Sequence, residues 1–334
     1  MRVSFSALVT LFLGTTSLLP QAAKATEPVV FDYMDPDSDW PLFSTIPTSF
    51  GDMPNECGMT ERQSPIDIPT SVIRSLCERP TTPYFIDGRN TGKCEFSALS
   101  FPIRDVDVGV DLNGCTTMPS IKLDNGPNGD GANYTALQFH IHTGTEHSFN
   151  TDFEDAELHI VHANMNVGDF TYETGDFQVL GVKIRGGDGA RPNYRFERLL
   201  VEWEESLAQT EASCSGELTV GDSTTVVGRS QSRPTGSFNP YDLIPVGTDF
   251  YTYEGSLTAP PCSQTVMWNL ATEFMRVSRS QLLRLYNVIN NYKYPMGSSA
   301  ACQFNAKPDI EGSTSRPPQP LNGRIVKRTC GGIE

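Results

Sequence analysis

Residues 137–147 read LQFHIHTGTEH, and residues 156–164 read AELHIVHAN. Together these two stretches hold all five histidines of a chain of 334 residues. In a β-strand, side chains two positions apart point to the same face. His140 and His142 therefore project together from the first stretch, and His159 projects from the second. If the two stretches form neighbouring strands, three imidazoles converge on one point.

Three converging imidazoles predict a metal centre. A His-x-His pair with one distant histidine suits a tetrahedral zinc ion with an open fourth position. Glu157, two residues before His159 on the same face, is placed to accept a hydrogen bond from a ligand imidazole. A His-x-His pair alone also occurs by chance or in a copper site, and single histidines on half-buried strands are commonly structural. The assignment therefore depends on the rest of the chain.

Short β-type runs separated by turn clusters dominate the chain from Gln63 onward. Helical periodicity is confined to residues near 193–209 and near 278–292, and Ser278 is a suitable N-cap for the second. No internal repeat is present. These patterns predict one mainly β domain with peripheral helices.

The N-terminus is typical of a secretory signal, with basic Arg2, an apolar run over about residues 5–19 and small residues at Ala23 and Ala25. The apolar run is too short for a good membrane span, and the C-terminus VKRTCGGIE lacks the hydrophobic tail of a lipid-anchor signal. We therefore expect secretion, or entry to the periplasm or to a plastid by the secretory route, without a membrane anchor.

The acidic composition excludes some partners. The chain has 40 acidic and 25 basic residues, which argues against nucleic acid or an anionic membrane as partner. The excess of acid is explained by solubility alone. We predict four segments: a signal peptide at 1–25, an irregular lead-in at 26–56, the main domain at 57–327 and a tail at 328–334.

Eight cysteines follow the predicted cleavage point after Ala25. An even number in a secreted chain favours disulfides, and the absence of a CxxC pair weakens a cysteine-based metal site. The triplet Asn133-Tyr-Thr makes Asn133 a candidate for N-glycosylation.

Four motifs, in order along the chain, resemble those of the α-class carbonic anhydrases. RQSPIDI at 62–68 is similar to the early signature of the family, and the two histidine stretches are similar to its zinc strands. YEGSLTAPPCSQTVMW at 253–268 resembles its substrate-side loop, and RPPQPLNGR at 316–324 its C-terminal arginine motif. The resemblance covers about residues 31–327. It implies a large twisted, mostly antiparallel central sheet and reversible hydration of carbon dioxide to bicarbonate and a proton.

The resemblance assigns the metal ligands and the residues that hold them. His140, His142 and His159 match the three ligands of Zn²⁺. Gln138 and Glu157 match the side chains that hydrogen-bond ligand imidazoles.

The remaining two histidines, His147 and His162, match structural histidines of the family. All five histidines of the chain thereby have a role.

The resemblance also assigns the surroundings of the reacting molecule. Thr258 matches the threonine that hydrogen-bonds the reactive hydroxide, and Glu146 matches the buried glutamate that orients this threonine. Ala259 stands where many members have a second threonine, which removes one hydroxyl near the bicarbonate position. The apolar wall against which carbon dioxide sits matches Val161, Val179, Leu257, Val266 and Trp268.

Proton transfer is where the chain departs most from the family. Fast members carry a histidine at the cavity mouth that ferries protons, whereas the local match LNGC at 112–115 places Cys115 there, and no sixth histidine exists. Tyr33 and Asn113 match polar residues along the path of the proton-carrying water. We therefore predict that proton export limits turnover.

Cys57 and Cys262 match cysteines that form a disulfide in secreted members, and the other six cysteines allow about 15 pairings. Three rival interpretations stay open. The first is a catalytically silent relative that acts as a binding or storage protein, although such relatives usually lose a ligand histidine. The second is an acidic matrix protein, for which repeats or acidic blocks are expected. The third is an esterase or another zinc hydrolase.

Overall fold

The computed structural model describes the larger part of the chain. The predicted signal peptide, 1–25, and residues 330–334 of the predicted tail lie outside it. The described residues are 33, 36–42, 44–48, 51–70, 77–78, 85–86, 92–103, 107–123, 132–164, 177–214, 235–291, 293–295, 302–304 and 312–329.

Two long helices flank the sheet, and both coincide with the helical patterns of the sequence. α2 (Tyr194–Cys214) is preceded by Asn193, whose Oδ1 accepts hydrogen bonds from the first-turn backbone amides of residues 195 and 196. α3 (Arg279–Asn291) is preceded by Ser278, the expected N-cap, whose hydroxyl accepts a hydrogen bond from the amide of residue 281. The shorter segments are helix α1 (Pro36–Asp39) and the 3₁₀ turns Trp40–Leu42, Phe96–Ala98 and Pro240–Leu243.

Most strands are short, as the closely spaced turn clusters predict. In chain order they are β1 (Thr45–Thr48), β2 (Gly51–Pro54), β3 (Asp67–Ile68), β4 (Cys77–Glu78), β5 (Phe85–Ile86), β6 (Cys94–Glu95), β7 (Val108–Asp111), β8 (Ser120–Leu123), β9 (Ala132–Thr143), β10 (Ser148–Phe149), β11 (Ala156–Ala163), β12 (Phe177–Gly187), β13 (Ser237–Phe238), β14 (Phe250–Gly255), β15 (Val266–Ala271), β16 (Met275–Ser278), β17 (Lys293–Pro295), β18 (Cys302–Phe304) and β19 (Lys327–Thr329).

One sheet of 11 strands dominates the described structure. Its main path runs β4-β19-β14-β15-β12-β11-β9-β8-β5, with β16 beside β12 and β7 beside β9. The sheet is mixed, because β12 pairs in parallel with β15 and β16, and β19 pairs in parallel with β4. The prediction of a mainly β fold with a large central sheet is confirmed. The parallel pairs are the detail it missed, because they join strands far apart in the chain.

The two faces of the sheet bury different kinds of side chain. Leu158 and Ile160 of β11 point into the larger core, which also contains Trp203 of α2. The opposite face of β11 carries Glu157 and His159. A second apolar cluster lies on that side, so strand alternation places the polar site beside an apolar wall.

The N-terminal lead-in packs on the domain. Trp40 is buried at 1% exposure and shares a cluster with Tyr33 and with the disulfide between Cys57 and Cys262. Nδ2 of Asn55 donates a hydrogen bond to the carbonyl of Trp40 at 2.7 Å. The division at residues 56 and 57 stays a prediction, but the cluster of Tyr33 and Trp40 with the disulfide crosses it.

Removing the Cys57–Cys262 disulfide should destabilise the protein. The bond closes a sequence separation of 205 residues, so its loss greatly increases the freedom of the unfolded chain. Replacing both cysteines with alanine should lower the free energy of unfolding by about 2–5 kcal/mol in urea denaturation. The matched control removes Cys94–Cys115, a disulfide with a separation of 21 residues, and should have a smaller effect. An unchanged unfolding midpoint in the first variant would contradict the prediction.

Candidate metal centre

Strands β9 and β11 bring three imidazoles together. His140 and His159 are register partners across the two strands, and His142 follows on the same face of β9. The ring centroid of His140 lies 5.0 Å from that of His142 and 5.1 Å from that of His159, and the centroids of His142 and His159 are 5.2 Å apart. His142 and His159 are buried, whereas His140 is half-buried, so the cluster is more open to solvent on the side of His140.

Each imidazole uses one ring nitrogen for an outward hydrogen bond to an oxygen acceptor. These bonds fix the plane of each ring and its tautomer, because an oxygen acceptor requires the N–H form of the nitrogen it faces. The pairs are His140 Nδ1 with Gln138 Oε1 at 2.9 Å, His142 Nδ1 with the carbonyl of Thr314 at 3.0 Å, and His159 Nε2 with Glu157 Oε1 at 2.9 Å.

The remaining ring nitrogens fit a metal ion. Nε2 of His140 lies 3.2 Å from Nδ1 of His159, and both present lone pairs when the outward bonds are formed. Nε2 of His142 is buried without a hydrogen-bond partner among the described residues. Two facing lone pairs repel unless a cation lies between them. Zinc–nitrogen distances of about 2.0–2.1 Å in a tetrahedron place two nitrogens about 3.3 Å apart, close to the observed separation.

Glu157 joins the ligands to a second layer of hydrogen bonds. Its Oε1 accepts from His159 and, at 2.7 Å, from Nδ1 of His147, while its Oε2 accepts from the backbone amides of Glu146 and His147. Burial alone would raise the pKa of Glu157, but the neighbouring His147 and His159 hold this pKa well below its ordinary value. The carboxylate therefore stays ionised and can polarise His159.

A further chain of hydrogen bonds supports His147. Its Nε2 contacts the hydroxyl of Tyr253 at 2.7 Å, and that hydroxyl contacts Oγ of Ser64 at 2.8 Å. Burial raises the pKa of Tyr253 well above its ordinary value, so its hydroxyl stays protonated. The ring of His147 is thereby held at both nitrogens.

The loop after β14 carries Thr258, which is buried, with 6% of its surface exposed. The backbone amide of Leu257 donates to the carbonyl of Ser263 at 3.0 Å. Nε1 of Trp268 donates to the carbonyl of Ser256 at 2.9 Å. Together with the disulfide at the far side of the loop, these bonds fix the position of Thr258.

Glu146 is fully buried beside the metal ligands. Its Oε1 accepts from the backbone amide of Arg316 at 3.2 Å, and its Oε2 lies 3.8 Å from Nε2 of both His142 and His159. Among the described residues, no hydrogen bond joins Glu146 to Thr258, and Oε2 has no hydrogen-bond partner. The expected hydrogen bond between the two residues is therefore not seen, and Glu146 keeps an acceptor atom to spare.

The expected apolar wall is one cluster. Val161 pairs in register with Val179 of β12, which pairs in register with Trp268 of β15. Leu257 and Val266 pack in the same cluster.

Ala259, which follows Thr258 in the loop, is half-buried. The loop at this position therefore presents a methyl group and no hydroxyl.

The two expected proton-path residues differ in their exposure to solvent. Tyr33 is buried and packs edge-on against Trp40 with ring centroids 5.2 Å apart, and Asn113 is exposed. Cys115 forms a disulfide with Cys94, so it has no thiol that could carry a proton.

Two residues that hold the site were not assigned from the sequence. Thr314 acts through its backbone carbonyl, which has no side-chain signature. Arg316 opens the C-terminal arginine motif, but its contacts could not be read from the motif. Its guanidinium is buried and donates to Gln63 Oε1 at 2.7 Å and to the carbonyls of Ser64 at 2.9 Å and Cys57 at 3.1 Å.

Comparison with known proteins agrees with this geometry. The family model described as eukaryotic-type carbonic anhydrase matches residues 46–330. The chain is 29% identical over 205 residues to carbonic anhydrase 3 of Bos taurus, which covers 59% of this chain and 66% of that protein. It is 27% identical over 215 residues to carbonic anhydrase 1 of Oryctolagus cuniculus, which covers 61% of this chain and 76% of that protein. The match to the bovine protein thus spans slightly less than two thirds of its length.

Solved structures share the fold. An α-carbonic anhydrase of Photobacterium profundum superposes with a TM-score of 0.51 at 22% identity, over 81% of this chain and 91% of that one. The α-carbonic anhydrase of Thermovibrio ammonificans, in complex with the inhibitor sulfanilamide, gives a TM-score of 0.50 at 24% identity, over 82% and 89%. At this identity the likeness bears on the fold alone.

Proposed function

The chain belongs to the eukaryotic-type carbonic anhydrase family, and from this premise we propose that it catalyses the reversible hydration of carbon dioxide to bicarbonate and a proton at a zinc ion. His140, His142 and His159 hold the zinc. The observation that carries the proposal is the convergence of their inward ring nitrogens, 3.2 Å apart for the closest pair, beside an apolar wall.

Zinc is the metal that suits three neutral imidazoles with an open fourth position. When bound, it supplies the Lewis acidity that brings the pKa of a coordinated water near neutrality, as is known for carbonic anhydrases. Gln138, Glu157 and the carbonyl of Thr314 fix the three rings, which spares the site any reorganisation.

The apolar wall provides the place for carbon dioxide. This substrate has no net dipole, so Val161, Val179 and Trp268 hold it through dispersion without competing hydrogen bonds. The same side chains limit the water that can reach the reacting carbon.

Thr258 and Glu146 orient the nucleophile. In this proposal the hydroxyl of Thr258 donates a hydrogen bond to Oε2 of Glu146, which has no other hydrogen-bond partner among the described residues. The Thr258 oxygen is then obliged to act as an acceptor, because its only proton is in use. It accepts a hydrogen bond from the attacking oxygen and turns the lone pair of that oxygen toward carbon dioxide.

A direct test of this function uses the apolar wall. Val161 is half-buried in the wall, so Val161→Phe should fill the space for carbon dioxide and leave the histidines intact. We expect kcat/KM for hydration to fall about tenfold or more, with zinc content unchanged. Val161→Ala is the control and should keep most of the activity. Stopped-flow hydration that is equal in both variants, or absent in the wild type, would contradict the proposal.

Proton export should limit the maximal rate. All five histidines already have other roles, Cys115 is in a disulfide, and carboxylates with pKa values near about 4 hold protons poorly at neutral pH. Small imidazole buffers should therefore raise kcat with concentration and leave kcat/KM almost unchanged. A kcat that is high in dilute buffer and does not respond to imidazole would refute this.

The proposed location is outside the cytosol. Two disulfides, Cys57–Cys262 and Cys94–Cys115, favour an oxidising compartment. Asn133 is exposed on β9, which leaves its side chain accessible to the glycosylation that we propose. Among the described residues, no helix combines the length and apolar character needed to cross a membrane.

A further inference from the structure

The described structure contains a cavity whose lining includes none of the proposed metal ligands. It measures about 290 Å³, and none of its described lining residues belongs to the site assigned above. Its chemistry is mixed, with three cations, three aromatic rings and two carboxylates. The residues that carry the argument are Phe149, Glu154, Lys183, Arg185, Phe274 and Arg328.

Lys183 is the unusual residue of this cavity. It lies on the same face of β12 as Val179, opposite Glu157 in register, and only 3% of it is exposed. Its Nζ lies 3.3 Å from the ring centroid of Phe149 and 5.0 Å from that of Phe274. Within the described structure this ammonium makes no hydrogen bond and no ion pair. The two rings attract the charge, but they do not accept its N–H groups as an oxygen does.

Arg328 adds a buried donor to the same lining. Its Nη2 donates to Oδ2 of Asp249 at 2.9 Å. Its Nε is buried without a hydrogen-bond partner among the described residues. Buried donors are nearly always paired, so Nε of Arg328 points to an acceptor that belongs in the cavity, and the ammonium of Lys183 in the same lining adds a positive charge.

The two carboxylates of the lining do not supply that acceptor. Glu154 is occupied by Arg185, whose Nε donates to it at 2.6 Å and whose guanidinium lies 4.1 Å from the ring centroid of Phe274. Asp152 is exposed to solvent. Arg328 pairs with Asp249 and Arg185 with Glu154, so Lys183 is the one cation of the described lining without a carboxylate partner.

These contacts select the class of ligand. An apolar molecule would leave the donors of Lys183 and Arg328 unpaired, and a cation would meet three positive side chains. A compact oxyanion offers acceptors to both donors. The cavity also lies below the roughly 300 Å³ at which pockets for drug-sized ligands begin, which suits an anion of a few atoms.

We propose that this cavity binds a compact oxyanion of the bicarbonate or phosphate type, held by Nζ of Lys183 and Nε of Arg328. Burial lowers the pKa of Lys183 to about 8, against the opposing effect of Glu157, Glu154 and Asp152. At neutral pH the side chain is therefore still mainly the ammonium, which is the form that attracts an anion. The site stands independently of the proposed hydration activity.

Calorimetric titration of the full chain with sodium bicarbonate and, separately, with sodium phosphate tests the site and shows which of the two anions it binds. The variant His159→Ala is titrated in parallel, since it removes anion binding at a metal. We expect saturable binding of at least one anion in both proteins. Lys183→Met keeps the length of the side chain and should weaken that binding about tenfold or more. Lys122→Met, at an exposed lysine of β8, is the control and should bind as the wild type does.

Binding that is equal in Lys183→Met and the wild type overturns the proposal, and so does the absence of binding of both anions to the wild type. If Lys183→Met does not fold, crystals of the wild type soaked in selenate decide the question. An anomalous peak within hydrogen-bond distance of Nζ of Lys183 supports the site, and no peak in this cavity overturns it.

Discussion

Replacing His159 with alanine is expected to remove zinc from the purified protein and to lower carbon dioxide hydration on the order of a thousandfold or more. Three protein ligands are the minimum for a catalytic zinc site, and His159 supplies the nitrogen that faces His140 at 3.2 Å. The change also removes one of the hydrogen bonds that keep Glu157 ionised in its buried position. Zinc content by atomic emission and initial rates by stopped flow measure the two effects.

His162 provides a matched control on the same strand. It lies on the opposite face of β11 from His159, where its ring contacts the hydroxyl of Tyr241 at 2.8 Å and the carbonyl of Gln178 at 3.1 Å. Burial lowers the pKa of His162 to about 4, so it is neutral at pH 7. His162→Gln should lose stability but keep one zinc ion per chain. Full zinc and full activity in His159→Ala would show that the ligand assignment is wrong.

Replacing Thr258 with alanine should lower kcat/KM by about 10²–10³ while zinc content stays unchanged. The expected loss is one of orientation, because Thr258 is proposed to hydrogen-bond the attacking oxygen and is not one of the proposed metal ligands. Glu146→Gln should resemble it, since Glu146 is proposed to act through the Thr258 hydroxyl. The loss of kcat/KM in the double variant should be much smaller than the product of the losses in the two single variants.

Thr258→Ser is the control for this pair, because it keeps the hydroxyl and should retain most of the activity. If the loss of kcat/KM in the double variant equals the product of the two single losses, Thr258 and Glu146 do not act as one unit. An unchanged rate in Thr258→Ala would remove Thr258 from the reaction altogether.

Strand alternation predicted which histidine side chains share a face. The period of two places His140 and His142 on one face of β9, whereas the pairing of β9 with β11 and the register of His140 with His159 are seen only in the structure. The same rule predicts the separation of apolar and polar faces, because Leu158 and His159 must point to opposite sides. Local patterns of this kind are visible in the sequence, since each residue position determines its own face.

Features that depend on distant parts of the chain could not be predicted in this way. The parallel pairing of β12 with β15 joins segments separated by α2 and β14. The carbonyl of Thr314 reaches His142 across 172 positions, and any residue type would supply that carbonyl. The Cys94–Cys115 disulfide was one of many possible pairings. Lys183 gave no signal, because a single lysine in a strand is usually exposed.

The measurement that tests the account most directly is carbon dioxide hydration by the full chain as zinc is removed and returned. Chelation should abolish the activity, and one equivalent of zinc should restore it in proportion to the metal bound. His159→Ala, treated in the same way, should not recover. Zinc-saturated wild-type protein that hydrates carbon dioxide no faster than buffer would contradict the account.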